Sequence, residues 1–295
     1  MVELLIFSLE KSVYRPGETI RGKLIIKTNS IVKVTSISIH FDGSSSVSWA
    51  IVDGQYSKSY KNYVKHVEQS LLFSNNNEEF ILNGEFSCPF EIQIPFDIPS
   101  SLNHYTTYYI HACIDIPWRF NKKIKRAVKI LKPIDLNMYP HLKESVTIED
   151  TKMIFSILDK PFPVTIRLSI AKSGFIAGEN ILFDAFIDNP SSKKFKVYFK
   201  LISITELFSS DGLTKENSIN IAKTYFPLEI MKQSSEKWTN GALAIPMGTP
   251  SSNTTCEVVK LFYFVVLGIK QKEMFAPTFF DVRIPITIGT TSFSD

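Results

Sequence analysis

The sequence has few cysteines, no long apolar run and no strong net charge. Its three cysteines in 295 residues, Cys88, Cys113 and Cys256, are too few and too scattered for a disulfide framework. The longest apolar run, residues 261–269, is about half the length that a membrane-spanning helix needs. A net charge of +4, from 33 basic and 29 acidic residues, gives no reason to expect a nucleic-acid partner.

Motifs that carry catalytic or metal chemistry are also missing. The sequence contains no phosphate-binding glycine loop, no Gly-x-Ser-x-Gly, no Cys-x-x-Cys and no His-Glu-x-x-His. Its five histidines lack metal-ligand spacing; His111 and Cys113 share a predicted strand face but would need two further ligands. We therefore expect no enzyme activity, no cofactor and no metal. Residues 1–7 lack the features of a secretory signal, which favours a cytoplasmic protein.

Alternation of apolar and polar residues dominates what is present. Period-2 runs predict strands, and clusters of Gly, Pro, Asn and Ser separate them, whereas no window of twelve residues shows a clean helical period. We predict an all-β fold of β-sandwiches. Cys88 falls on an apolar face and is interpreted as a small buried residue, and the three tryptophans as core anchors. The runs lie at residues 20–26, 86–94, 108–116, 181–187, 195–201, 261–267 and 284–288.

The chain repeats itself. Residues 14–20 (YRPGETI) recur 161 positions later as residues 175–181 (FIAGENI), and an Ile-Pro-x-x-x-Pro-Ser-Ser segment at 94–101 recurs at 245–252. The repeat predicts two copies of one immunoglobulin-like sandwich in tandem, with domains at residues 1–145 and 146–295. Gly17 and Gly178 are expected to be structural turn glycines in equivalent turns, since glycine takes a positive φ at little cost.

These residues together resemble the arrestin family, and specifically the α-arrestins. No one motif is specific, but the ordered set with its duplication covers nearly the whole chain. The set comprises Tyr14-x-Pro-Gly-Glu-x-Ile-x-Gly22, Phe41-x-Gly43 with Trp49, Leu82-x-Gly84, Tyr109 to Trp118 (YIHACIDIPW), Asp135-Leu-Asn137, Gly174-Phe-x-x-Gly-Glu179, Asp188-Asn189 and Pro285-Ile-x-Ile-Gly289.

The resemblance implies an arrestin fold and a non-catalytic cytoplasmic adaptor, recruited to the plasma membrane or endosomes. It would bind cytoplasmic tails of membrane proteins and promote their endocytosis, endosomal sorting or ubiquitin-linked trafficking. A retromer-like arrestin-fold coat subunit is the alternative. The chain departs from the family in having Ala177 where a proline is usual, and in lacking the Pro-Pro-x-Tyr motif that docks ubiquitin ligases. We therefore expect any ligase link to be indirect.

A basic run offers the one candidate binding site. Residues 119–132 contain seven cations and no acid. As a strand, this run would place four cations on one face, where they could contact anionic lipid headgroups or a phosphorylated tail. The alternatives are a solvated sheet face or an edge strand charged against aggregation. The four predicted anion-binding residues are Arg119, Lys123, Lys125 and Lys129.

Overall fold

The structure, a computed structural model, describes residues 2–73, 80–154, 161–227, 229–270 and 279–294. Seventeen strands and two short 3-10 helices, Leu136–Met138 and Pro140–Lys143, make up its regular structure. Four sheets form two sandwich-like halves, so the prediction of an all-β fold with two sandwiches is confirmed. Over the described residues, no helix has both the length and the apolar content to span a bilayer.

The first half contains two sheets that enclose one core. A three-stranded sheet has the order β1-β3-β6, and a five-stranded sheet has the order β2-β8-β7-β4-β5. β7 alternates between buried and half-buried residues along its whole length, as its sequence predicts. Its strands are β1 (Val2–Leu9), β2 (Val13–Tyr14), β3 (Thr19–Val34), β4 (Ser36–Asp53), β5 (Tyr56–Phe73), β6 (Phe80–Gln93), β7 (Thr106–Asp115) and β8 (Lys122–Ile130).

The second half has the same two-layer plan. One sheet has the order β15-β12-β10-β9 and the other the order β11-β17-β16-β13-β14. Its strands are β9 (Val146–Ile154), β10 (Phe162–Ile170), β11 (Gly174–Ile176), β12 (Asn180–Asn189), β13 (Lys196–Phe208), β14 (Thr214–Tyr225), β15 (Ser234–Ala244), β16 (Val259–Lys270) and β17 (Phe279–Gly289).

The chain divides into two compact units. The first contains Met1–Lys132 with two later segments, Leu207–Thr214 and Thr255–Val259; the second contains the rest. In this division the two 3-10 helices belong to the second unit; the domain bounds 1–145 and 146–295 stay a prediction. There Asn137 donates a 2.9 Å hydrogen bond to the Ser292 carbonyl, and Lys143 donates one of 2.9 Å to the Ser294 carbonyl.

The repeated Gly-Glu turns are alike in atomic detail. Gly17 and Gly178 have φ values of 83° and 92°. Their amides donate to the carbonyls of Ile94 (3.2 Å) and Ile245 (2.9 Å). In each turn the glutamate that follows, Glu18 or Glu179, accepts a 3.0 Å hydrogen bond from the backbone amide three residues before it. The same turn structure therefore precedes β3 in the first unit and β12 in the second.

The tryptophans differ in burial, and one corrects the sequence interpretation. Trp49 is buried, Trp238 is half-buried, and Trp118 is fully exposed. The interpretation of Trp118 as a core anchor is wrong, because β7 ends at Asp115 and Trp118 lies in the turn beyond it.

Cys88 is buried on β6, as predicted, and burial raises the pKa of its thiol to about 11.

Candidate binding surface

β1 is an edge strand of the first unit. It pairs with β3 and is the terminal strand of its sheet. A register shift between Val2 and Leu4 lets Val2 and Phe7 both face the core, while Leu4 and Ile6 remain 39% and 43% exposed. An edge strand offers backbone donors and acceptors to an added strand, and exposed apolar side chains beside that edge favour an extended peptide partner.

Arg126 on β8 approaches this edge. Its Nη1 donates a 2.5 Å hydrogen bond to the Phe7 carbonyl. Side chains alternate along β8, so Arg126 lies on the same side of the strand as Val128 and Ile130, which are buried. The Arg126 side chain therefore extends from the inner side of the sheet toward β1. A guanidinium therefore lies beside the β1 backbone, where it would also attract an anionic partner.

Three of the four predicted cations share the opposite face of β8. Lys123, Lys125 and Lys129 are exposed there, and the Lys125 ammonium lies 3.7 Å from the centroid of the Tyr109 ring. Arg119 is not part of this face, because β8 begins at Lys122 and Arg119 belongs to the preceding turn. The geometry thus brings three cations together and separates the fourth; their binding of an anionic partner stays a prediction.

Histidines lie next to these lysines on the outer sheet face. His111 Nδ1 is 3.0 Å from an Asp42 carboxylate oxygen, and its ring stacks on His40 with centroids 4.7 Å apart. Burial lowers the pKa of His111, and His40, Lys125 and Lys123 add to that effect against the opposing influence of Asp42. Across the described residues, no cluster of three or more His, Cys, Asp or Glu side chains could hold a metal ion.

A buried polar cluster in the first unit has no counterpart in the sequence analysis. The Ser45 hydroxyl lies 2.7 Å from His66 Nε2, 2.8 Å from the Thr106 hydroxyl and 3.3 Å from the Cys256 sulfur. Burial opposes ionisation of Cys256, but hydrogen bonds with His66 and Ser45 and from the Val258 and Val259 backbone lower its pKa to about 7. Ser45, Thr106 and Cys256 are each at most 2% exposed, so these members of the cluster are buried.

The division of the chain into two units agrees with the comparisons to known proteins. The model of the arrestin (or S-antigen) N-terminal domain matches residues 4–137, and that of the arrestin C-terminal domain matches residues 160–293.

Individual relatives match along nearly the whole chain. Arrestin domain-containing protein 17 of Caenorhabditis elegans is 23% identical over 97% of this chain and 70% of its own length. Human arrestin domain-containing protein 4 is 25% identical over 98% of this chain and 71% of its own length. Pig thioredoxin-interacting protein is 21% identical over 98% of this chain and 74% of its own length. The chain belongs to the arrestin family and is a distant relative of the arrestin domain-containing proteins, the α-arrestins.

Proposed function

We propose that this protein is a non-catalytic cytoplasmic adaptor that binds cytoplasmic segments of membrane proteins and promotes their endocytosis or endosomal sorting. The observation that carries the proposal is the position of β1 at the edge of its sheet, in a chain that matches both arrestin domains. Such an edge binds an extended peptide through its backbone, and so it accepts many sequences.

The surroundings of β1 favour an acidic or phosphorylated partner. An added strand would lie along Leu4 and Ile6, which supply apolar contacts, and beside Arg126, which already donates to the Phe7 carbonyl. The exposed lysines of β8 add positive charge on the same unit. Backbone hydrogen bonds would align the bound peptide along β1, and the cations would favour cargo tails that carry negative charge.

These 295 residues contain no Pro-Pro-x-Tyr motif, so within them we propose no direct docking of a ubiquitin ligase and expect any ligase link to run through a partner. Recruitment to the plasma membrane or endosomes would follow from cargo binding. The retromer-like alternative shares the fold but predicts stable association with coat subunits in place of transient association with cargo tails.

The proposal is tested by removing the protein from its native cells and measuring the surface lifetime of plasma-membrane proteins. We expect a subset to stay longer at the surface, and wild-type protein to restore their internalisation. Ile6→Glu should fail to restore it, because a charge at the exposed edge opposes an acidic strand.

Leu182→Glu provides a matched control, since Leu182 is an exposed leucine on β12, which belongs to the second unit. Unchanged surface lifetimes would contradict the adaptor proposal. Stable co-purification of coat subunits, without cargo, would favour the retromer-like alternative.

A further inference from the structure

The turn between β7 and β8 holds a tryptophan in an unfavourable backbone conformation. The Arg119 amide donates a 3.2 Å hydrogen bond to the Ile116 carbonyl, closing a β-turn with Pro117 and Trp118 at its centre. Trp118 has φ 58°. A proline followed by a positive φ is the pattern of a type II turn, whose third position favours glycine. A bulky residue with positive φ is strained, and such strain concentrates at functional positions.

The strained turn places two aromatic rings in solvent. Trp118 and Phe120 are 102% and 97% exposed. Both rings are almost fully exposed, so burial in a core does not account for a tryptophan at a position that favours glycine. Exposed large aromatics in close sequence are characteristic of contact sites.

Cations surround the two rings. Arg119, Lys122 and Lys123 are exposed within the same seven-residue stretch, residues 117–123. An open cavity of about 790 Å³ adjoins the turn, lined by apolar residues including Val2, Val32 and Ile116, and by Asp115. Aromatic rings between basic residues match the interface of an anionic bilayer, where tryptophan prefers the headgroup level and lysine and arginine bind anionic lipids.

We propose that the turn at residues 117–123, here called the aromatic turn, binds the surface of anionic membranes. Trp118 and Phe120 enter the headgroup region while Arg119, Lys122 and Lys123 contact anionic headgroups. Trp118 and Phe120 are among the residues that line the cavity, yet both rings stay almost fully exposed and can enter a headgroup region, so a membrane fits better than a peptide. This lipid contact goes beyond the adaptor function and needs no cargo, so bare vesicles test it independently.

The test is sedimentation of the full chain with phosphatidylcholine vesicles, with and without phosphatidylserine. We expect binding to the anionic vesicles that falls steeply with salt. Trp118→Ser combined with Phe120→Ser should weaken it about ten-fold or more, because both rings lose their buried area. Replacing the three cations by glutamine should weaken it on the order of 100-fold at low salt.

Tyr56→Ser is the matched control, since Tyr56 is an exposed aromatic on the same sheet. β4 pairs with β7 from Ser36, opposite Asp115, to Ser45, opposite Thr106, and then continues to Asp53, which pairs with Tyr56. The β4–β5 hairpin tip therefore lies at the opposite end of the sheet from the aromatic turn. Binding that Tyr56→Ser weakens equally, or that the aromatic-turn variants leave unchanged, overturns the proposal. Trp118-dependent binding of a soluble phosphopeptide, with none to vesicles, also overturns it.

Two further readouts separate contact from folding. Quenching of tryptophan fluorescence by brominated lipid chains should disappear in Trp118→Phe, which keeps an aromatic ring; persistent quenching would contradict insertion of Trp118. Trp118→Gly should raise the melting temperature by about 2–4 °C through relief of strain, while weakening vesicle binding. A lower melting temperature would overturn the strain argument.

Discussion

The two units have the same Gly-Glu turn before β3 and before β12, but different side chains cover the glycine of each turn. In the first unit Pro16 precedes Gly17, and the Phe96 ring lies over the glycine, so a Cβ there would be 2.3 Å from Phe96 Cε1. In the second unit Ala177 precedes Gly178, and the Met247 sulfur would be 2.3 Å from such a Cβ. What both units keep is the positive φ and the glutamate that accepts a backbone amide. The backbone therefore fixes this turn, and its neighbours are free to vary.

A second shared feature is the corner before the late strands. Tyr108 donates a 2.7 Å hydrogen bond to the Pro99 carbonyl, and Tyr263 donates one of 2.8 Å to the Pro250 carbonyl. The hydroxyls of Ser101 and Ser252 accept from the amides of Ile130 (2.9 Å) and Ile288 (3.0 Å) in the same way. In both units, therefore, a tyrosine donates to the proline carbonyl of the corner, and a serine just after that proline accepts from a late strand.

Core truncation tests how far the units are independent. Phe41 and Phe199 are fully buried, one in each unit, so Phe41→Ala and Phe199→Ala should each lower the free energy of unfolding by about 3–5 kcal/mol. In a Trp118→Phe background, Trp49 reports on the first unit and Trp238 on the second. We expect each variant to shift the denaturant midpoint of its own reporter. Coincident shifts of both reporters would show that the units unfold together.

Turn substitution tests whether φ alone sets the requirement for glycine. Gly17→Val and Gly178→Val should each lower the free energy of unfolding by about 1–2 kcal/mol through backbone strain. Gly→Asn at the same positions is the control and should have a smaller effect, since asparagine tolerates positive φ. Denaturant titration measures both. If Gly17→Val lowered the free energy of unfolding strongly and Gly178→Val did not, the cause would be contact with the Phe96 ring and not the backbone conformation.

Corner substitution should have a smaller effect. Tyr108→Phe and Tyr263→Phe each leave a proline carbonyl without its hydroxyl donor, and each should lower the free energy of unfolding by about 1 kcal/mol. Tyr56→Phe, at an exposed site, should change nothing measurable. Thermal unfolding compares the three variants. A neutral result at one corner alone would mean that the corners are less alike than their distances indicate.

The smallest expected effect depends on pH. The Arg15 amide, followed by the Lys11 ammonium, lowers the pKa of Glu18 below its usual value of 4.5. A carboxylate with a lowered folded-state pKa stabilises the protein above its unfolded-state pKa, and this contribution disappears as pH falls through the folded-state value. Glu18→Gln should therefore lose a few tenths of a kcal/mol at pH 7 and nothing at strongly acid pH. Glu10→Gln, an exposed neighbour, is the control; an equal loss there would refute the assignment.

The sequence predicted those parts of the fold whose strands are buried on one side. Alternation at residues 108–116 and 181–187 corresponds to β7 and β12, because one face of each packs in a core. β5 and β14 were not predicted. Most of their residues are exposed, so apolar and polar residues do not alternate along these strands.

The candidate site was predictable only in part. Alternation within β8 placed Lys123, Lys125 and Lys129 together, but it also counted Arg119 and could not show where the strand begins. The sequence did not predict a role for Arg126, because its hydrogen-bond partner is a backbone carbonyl on another strand. The Cys256 cluster joins residues from positions 45, 66, 106 and 256, and no local pattern signals contacts over such separations.

The late segments of the first unit bear on its synthesis. Thr255–Val259, which brings Cys256 to Ser45, belongs to a unit whose other residues end mostly at Lys132. At ribosomal rates of about 5–20 residues per second, this segment is made on the order of ten seconds after Lys132. During that time the first unit lacks residues 255–259, so the Ser45 hydroxyl has no contact with the Cys256 thiol. Chaperones that bind nascent chains would therefore find the first unit incomplete until most of the second has been translated.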